Sequence, residues 1–184
     1  NSGSNRVASL RNLGGGAFEV SGTIDGQEGA RALNAGDWDG DGFMDLAVSD
    51  FGSNSVAVLM NDGAGFFAVA ATLPGLEGAS ALISGDWDGD GDIDLAAANF
   101  GGNTVAILQN DGTGGFAVQG TVPGMVNARA LSAGDWDGDG APDLAVGNSG
   151  TNTVAVLRND GSGAFSLLRT VDSKWMDHID VMDD

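Results

Sequence analysis

An all-β fold, built as propeller blades of four antiparallel strands, is what this sequence predicts, and three observations predict it. The segment Gly-Asp-Trp-Asp-Gly-Asp-Gly begins at Gly36, Gly85 and Gly134, a period of 49 residues without insertion. Each period holds four short apolar runs separated by turn residues, with no helical spacing. Composition agrees: 32 glycines against 3 prolines, and 42% apolar residues in a chain of 184, suit a folded protein with many tight turns. Four strands in a unit of about 45 residues make one propeller blade. A lone blade cannot bury both of its faces, so the core must lie between neighbouring blades.

The elements follow in order within each period. The first strand is expected over residues 31–36, 80–85 and 129–134, and the aspartate-rich loop comes directly after it. The second strand is expected over 46–49, 95–98 and 144–147. A turn follows at Phe51-Gly52, Phe100-Gly101 and Ser149-Gly150. The third strand alternates, as in Val56-Ala57-Val58-Leu59. Asn61-Asp62-Gly63, Asn110-Asp111-Gly112 and Asn159-Asp160-Gly161 are expected to supply the positive φ of a tight hairpin. The fourth strand begins at the marker phenylalanines Phe67, Phe116 and Phe165, with Phe18 in the same register.

This register divides the chain into a partial blade (1–30), three blades (31–79, 80–128 and 129–171) and a divergent C-terminal segment (172–184). The partial blade has only its third and fourth strands, expected over 6–10 and 17–23. In the last segment Asp180 falls where Leu33, Leu82 and Leu131 stand, so at best it forms a degenerate first strand. One blade is then short of its second strand and leaves unpaired edges. Either a neighbouring chain completes it, giving a homo-oligomeric ring or a filament, or the chain is cut from a longer propeller. The absence of an initiating methionine suits a processed chain or an excised fragment.

Charge narrows the function. Six arginines and Lys174 oppose 26 acidic residues, for a net charge of −19. A nucleic-acid partner is not expected, since no basic surface meets phosphate; anionic membranes are disfavoured likewise. No apolar run approaches the roughly 20 residues of a membrane span. With no cysteine, disulfides, zinc-thiolate sites and thiol nucleophiles are all excluded.

Twelve of the acids occupy the fixed positions of three copies of D-x-D-G-D-G-x-x-D: Asp37, Asp39, Asp41 and Asp45; Asp86, Asp88, Asp90 and Asp94; Asp135, Asp137, Asp139 and Asp143. Four carboxylates in nine residues repel one another unless a cation joins them. Calcium accepts six to eight oxygens at flexible geometry, and acids at positions 1, 3 and 5 supply several. The position-7 carbonyls of Phe43, Asp92 and Ala141 are expected to join them, and the position-9 aspartate to close the shell. Glycine at position 6 (Gly42, Gly91, Gly140) permits the sharp turn. Magnesium demands a tighter octahedron, and zinc lacks its sulfur and nitrogen donors here. An EF-hand is excluded, because position 12 holds Val48, Ala97 and Val146 instead of glutamate. The plain alternative, acidic turns without metal, sits poorly with three copies in fixed register. Trp38, Trp87 and Trp136 at position 2 point away from the ion; core packing is expected of them, with a sugar-stacking platform as the other reading. His178 stands alone in the divergent tail and is read as solvated or packing.

These loops, the Phe-Gly turns and the Asn-Asp-Gly-x-Gly-x-Phe hairpins resemble the FG-GAP/VCBS repeats of integrin-α-like propellers. The resemblance covers roughly residues 5–171. It implies that the loop joins the first two strands of each blade, that calcium rigidifies it, and that a complete ring has seven or eight blades. Ser149-Gly150 departs from the Phe-Gly turn.

The expected function is therefore an extracellular or cell-surface calcium-binding module, structural or adhesive, that associates with itself. Millimolar calcium outside cells would fill loops of modest affinity. A propeller lectin with a glycan ligand is the alternative. An enzyme is not expected: one histidine, no cysteine and no triad argue against acyl transfer, and the carboxylates are better explained as ligands than as an acid–base pair.

Overall fold

The computed structural model describes residue 3 and residues 5–172. Lys174, His178, Asp180 and the expected degenerate strand lie outside the described residues. Among the described residues all regular structure is β, and no helix is long and apolar enough to cross a membrane.

Strands β1 (Arg6–Gly14) and β2 (Ala17–Asp25) pair as a two-stranded sheet. Three four-stranded sheets follow, each in simple sequential order. The first contains β3 (Ala30–Gly36), β4 (Asp45–Asp50), β5 (Ser55–Asn61) and β6 (Phe67–Pro74). The second contains β7 (Ala79–Gly85), β8 (Asp94–Asn99), β9 (Thr104–Asn110) and β10 (Phe116–Pro123). The third contains β11 (Ala128–Gly134), β12 (Asp143–Asn148), β13 (Thr153–Asn159) and β14 (Phe165–Asp172). Every pairing is antiparallel, and register repeats with the sequence: Leu46 opposes Leu59, Leu95 opposes Leu108, and Leu144 opposes Leu157. β3 packs against β7 and β7 against β11, whereas the outer strands meet only sparsely. The sheets thus fan outward from their first strands as propeller blades, in an arc that is not closed.

The core is a set of layers between blades. Trp38, Val56, Val58, Leu73 and Leu76 from one blade pack against Leu95, Ala97, Ala106 and Leu108 of the next. The following interface repeats this with Trp87, Val105, Ile107, Val122 and Met125 against Leu144, Val146, Ala155 and Leu157. The partial blade makes a smaller layer, in which Val7 meets Val48, Ala57 and Leu59. Alternate residues of β5 therefore serve opposite interfaces, Val56 and Val58 one way, Ala57 and Leu59 the other. A strand buried on both faces needs apolar residues at consecutive positions, which is why β5 and β9 read as unbroken apolar runs. Each outer strand carries a bulge, as between Val118 and Gly120, a device that twists an exposed edge away from further pairing.

The hairpins meet the expectation of positive φ at the glycine of each Asn-Asp-Gly triplet, Gly63, Gly112 and Gly161. Positive φ falls to the glycines, Gly63 and Gly65 in the first blade, and not to Asn61 or Asp62. The Asn-Asp pair acts through its side chains: Asn61 Oδ1 accepts from Gly63 N at 3.2 Å, and Asp62 Oδ1 accepts from Ala64 N and Phe66 N at 2.8 and 3.1 Å. Side-chain turns of this kind are a known alternative use of both residues.

A second periodic asparagine, unremarked in the sequence, does take positive φ. Asn5, Asn54, Asn103 and Asn152 have φ of 53–55°. Asn54 carbonyl accepts from Leu76 N at 2.9 Å, and its Oδ1 accepts from Gly78 N at 2.8 Å. Asn103 repeats this with Met125 N and Asn127 N. The residue therefore pins the connection leading into the next blade. Its signal in the sequence was the same 49-residue period, just before the third strand.

Asp50 is a local misfit. It is buried at the end of β4, and Asn99 and Asn148 stand at the equivalent positions. Burial, with Glu28 adding repulsion, pushes its carboxyl up to about 6 from an ordinary 3.8. A carboxyl whose pKa folding raises favours the fold while protonated and opposes it once ionised, so its effect on stability worsens as pH rises through that window. Asp50→Asn should raise stability at pH 7 by about 1–2 kcal/mol, with wild type and variant converging near pH 4, as read by thermal denaturation at both pH values.

Candidate metal centre

Each acidic loop joins the first and second strands of a blade, and the sequence folds it there for a steric reason. Glycine precedes the Asp-Trp pair because the tryptophan ring lies back over it. A Cβ on Gly36 would sit 2.5 Å from the Trp38 ring, and one on Gly85 would sit 2.5 Å from Trp87.

The loop is then wound by its own carboxylates. Position 1 accepts from the backbone of position 6: Asp37 Oδ2 from Gly42 N at 3.0 Å, Asp86 Oδ2 from Gly91 N at 3.1 Å, and Asp135 Oδ2 from Gly140 N at 3.0 Å. Position 3 accepts from position 5, as Asp39 Oδ1 does from Asp41 N at 3.2 Å. Position 5 accepts from position 7, with Phe43, Asp92 and Ala141 N–H groups at 2.8–2.9 Å from Asp41, Asp90 and Asp139 Oδ1. The position-7 side chains lie over the glycines of the blade's own hairpin, Phe43 at Gly63 and Asp92 at Gly112.

Position 9 is buried and holds two backbone N–H groups at once. Asp45 accepts from Trp38 N at 3.0 Å and Asn61 N at 2.8 Å. Asp94 accepts from Trp87 N at 3.1 Å and Asn110 N at 2.8 Å. Asp143 accepts from Trp136 N at 3.2 Å and Asn159 N at 2.9 Å. Burial outweighs these bonds and pushes the Asp94 carboxyl up to about 6, with Asp88 and Asp90 adding to the rise; Asp45 is raised for the same reasons.

Three carboxylate clusters result, each with ligand atoms within 4.8 Å of one another: Asp37, Asp39 and Asp41; Asp86, Asp88 and Asp90; and Asp135, Asp137 and Asp143. All three can hold a metal ion. Asp37 Oδ1 is buried and has no hydrogen-bond partner, so the first cluster contains an oxygen that a cation would satisfy. Donors are oxygen throughout, which suits a hard divalent ion. The third cluster differs. There Arg158 Nε lies 2.6 Å from Asp137 Oδ2 and its Nη2 lies 3.0 Å from Asp139 Oδ2.

The tryptophans divide. Trp38 and Trp87 are buried between blades, edge-on to Phe116 and Phe165 at 5.7 and 5.8 Å. Asn110 Nδ2 donates to Trp38 O at 2.9 Å, and Asn159 Nδ2 donates to Trp87 O at 2.8 Å. Trp136, expected to pack in the core, is instead 49% exposed, because it faces outward from the last described blade. The Asn and Phe markers are thus the residues that fasten each blade to the tryptophan loop of the one before.

The sequence matches the FG-GAP-like repeat family three times, over residues 37–97, 86–146 and 135–183. The chain belongs to the FG-GAP-like repeat family. No curated protein matches it by sequence. A solved structure from Lactobacillus plantarum is 24% identical with a TM-score of 0.71, covering 94% of this chain and 52% of its own. A Bacteroides fragilis protein, provisionally assigned as a 6-phosphogluconolactonase, is 18% identical with a TM-score of 0.68, covering 93% and 50%. A Desulfotomaculum acetoxidans protein of unknown function is 16% identical with a TM-score of 0.64, covering 92% and 50%. At these identities the likeness concerns the fold alone. The FG-GAP-like chain spans about half the length of each of these structures.

The position-9 bonds predict a metal-independent role. Asp94→Ala leaves the Trp87 and Asn110 N–H groups buried and unpaired, at a cost of about 2–5 kcal/mol. Urea denaturation should record that loss in excess chelator as well as in calcium.

Proposed function

We propose that this FG-GAP-like chain is a non-catalytic, calcium-clamped module of an extracellular propeller, structural or adhesive, whose open faces join further blades. The observation that carries the reading is the repeated oxygen cluster, with a buried carboxylate oxygen at Asp37 awaiting a partner. Calcium suits it best: the donors are all oxygen, and the loop offers carbonyls at Phe43, Asp92 and Ala141 besides its acids. Of the position-9 acids, Asp143 joins its cluster, whereas Asp45 and Asp94 stand outside theirs, with both oxygens bonded to backbone N–H groups. Calcium bound in the clusters neutralises the crowding of carboxylates that otherwise opposes the fold. Sites of modest affinity fill in the millimolar calcium outside cells, which supports an extracellular or cell-surface setting.

Thermal melting tests this. Each site held at a hundredfold excess of calcium over its dissociation constant adds about 2.7 kcal/mol, so Tm should rise steeply in calcium and collapse in EDTA, with magnesium less effective. Superimposable melts in calcium and EDTA would overturn the reading.

The interblade contacts support self-association as part of this reading. Phe18 and Asn12 share the register of Phe116 and Asn110, and Phe18 is 61% exposed. A second copy placed after Trp136 brings Phe18 to that ring and the Asn12 amide to its carbonyl, as happens twice within the chain. Two such lengths match one of the similar structures. Size-exclusion chromatography with light scattering should find head-to-tail assemblies that Trp136→Ala disperses without altering the β-sheet circular dichroism. A monomer at every concentration would exclude this arrangement.

A glycan-binding reading has one observation in its favour, an open cleft of about 520 Å³ between the second and third loops, bordered by Asp86, Trp87 and Asp139. It loses the stacking platform at Trp38 and Trp87, which are buried. A blank glycan array would close it.

A further inference from the structure

We propose that the residue at the penultimate position of each third strand grades the three cation sites, and that Arg158 makes the third site the weakest. This rests on the calcium reading above. The residues are Met60, Gln109 and Arg158, equivalent in the 49-residue register and each one position before the end of its strand.

Their effects on the carboxylates differ in kind. Met60 carries no charge and no hydrogen-bond donor, and its methyl group lies toward Gly114 of the next blade. The first cluster keeps all three leading aspartates together, with Asp37 Oδ1 unpartnered. Gln109 donates its amide to Asp88 Oδ2, which occupies one lone pair while leaving the cluster of Asp86, Asp88 and Asp90 assembled. Arg158 brings a full positive charge and spans Asp137 and Asp139 with two nitrogens. Asp139 accordingly drops out of the third cluster, which forms from Asp135, Asp137 and Asp143.

A guanidinium across two carboxylates is a strong competitor for a divalent ion. It takes lone pairs that would coordinate the metal and repels the metal's charge at close range. The Arg158 side chain is 49% exposed, so the pair is solvated and exchangeable and does not block the site. Calcium must displace it, and the third loop fills last. That loop also holds Trp136, whose N–H is bound by Asp143. The site that needs the most calcium is therefore the one beneath the exposed docking tryptophan.

Isothermal titration of the 184-residue chain with calcium tests the grading. Wild type should show two tighter sites and one weaker. Arg158→Met, which installs the residue found at position 60, should tighten the weak site by about tenfold or more. Met60→Arg should weaken one of the tight sites by a similar factor, with circular dichroism confirming the fold of both variants. Three equal sites in wild type, with an Arg158→Met isotherm that superimposes on it, would overturn the grading and leave the calcium reading standing. No calcium binding in any of the three proteins would reject the calcium reading, and the grading with it.

Discussion

The structure depends on a buried carboxylate that grips two strands from one point. Asp94 ties the N–H of Trp87, at the start of the acidic loop, to the N–H of Asn110, at the end of the third strand. The Asn110 side chain then reaches Trp38 O in the preceding blade. Asp143, Asn159 and Trp87 repeat the sequence one blade along. Loop, hairpin and interblade layer are thus held by a single connected set of bonds. A buried acid in such a place is costly to leave ionised without partners, and its two backbone donors reduce that cost.

The acidic loops and the apolar layers are two solutions to the same problem. A blade is thin, and its strands cannot be buried by their own sheet. The layers supply burial through Trp38, Leu59, Leu108 and their equivalents. The loops supply definition at the end where the first strand turns back into the second. They do so with side-chain oxygens bonded to successive backbone N–H groups. A cation would then meet preorganised oxygens, which lowers the ordering cost of binding.

Much of this was legible in the sequence because the period never slips. Strand order, the partial blade, the placement of the loops and the Asn and Phe markers all follow from a 49-residue register. Three things were not legible. The hairpin asparagine and aspartate look like positive-φ residues, but they work through their side chains, a choice that composition cannot distinguish. Trp136 occupies the same loop position as Trp38 and Trp87 and still lies half exposed, since the ring contacts that cover those two come from Phe116 and Phe165 in the blade after each. Arg158 occupies a position where its counterparts are Met60 and Gln109, and only the packed turn brings its guanidinium to Asp137 and Asp139.

The bonds that fasten one blade to the next span 72 residues, from Trp38 to Asn110 and from Trp87 to Asn159. They reach one repeat along the chain and are the same at each step. Gain or loss of one 49-residue repeat in register would therefore add or remove a whole unit while preserving every junction. Such a gene can change the length of its product in increments of 49 codons, with the cost falling on the two ends and not on the interior.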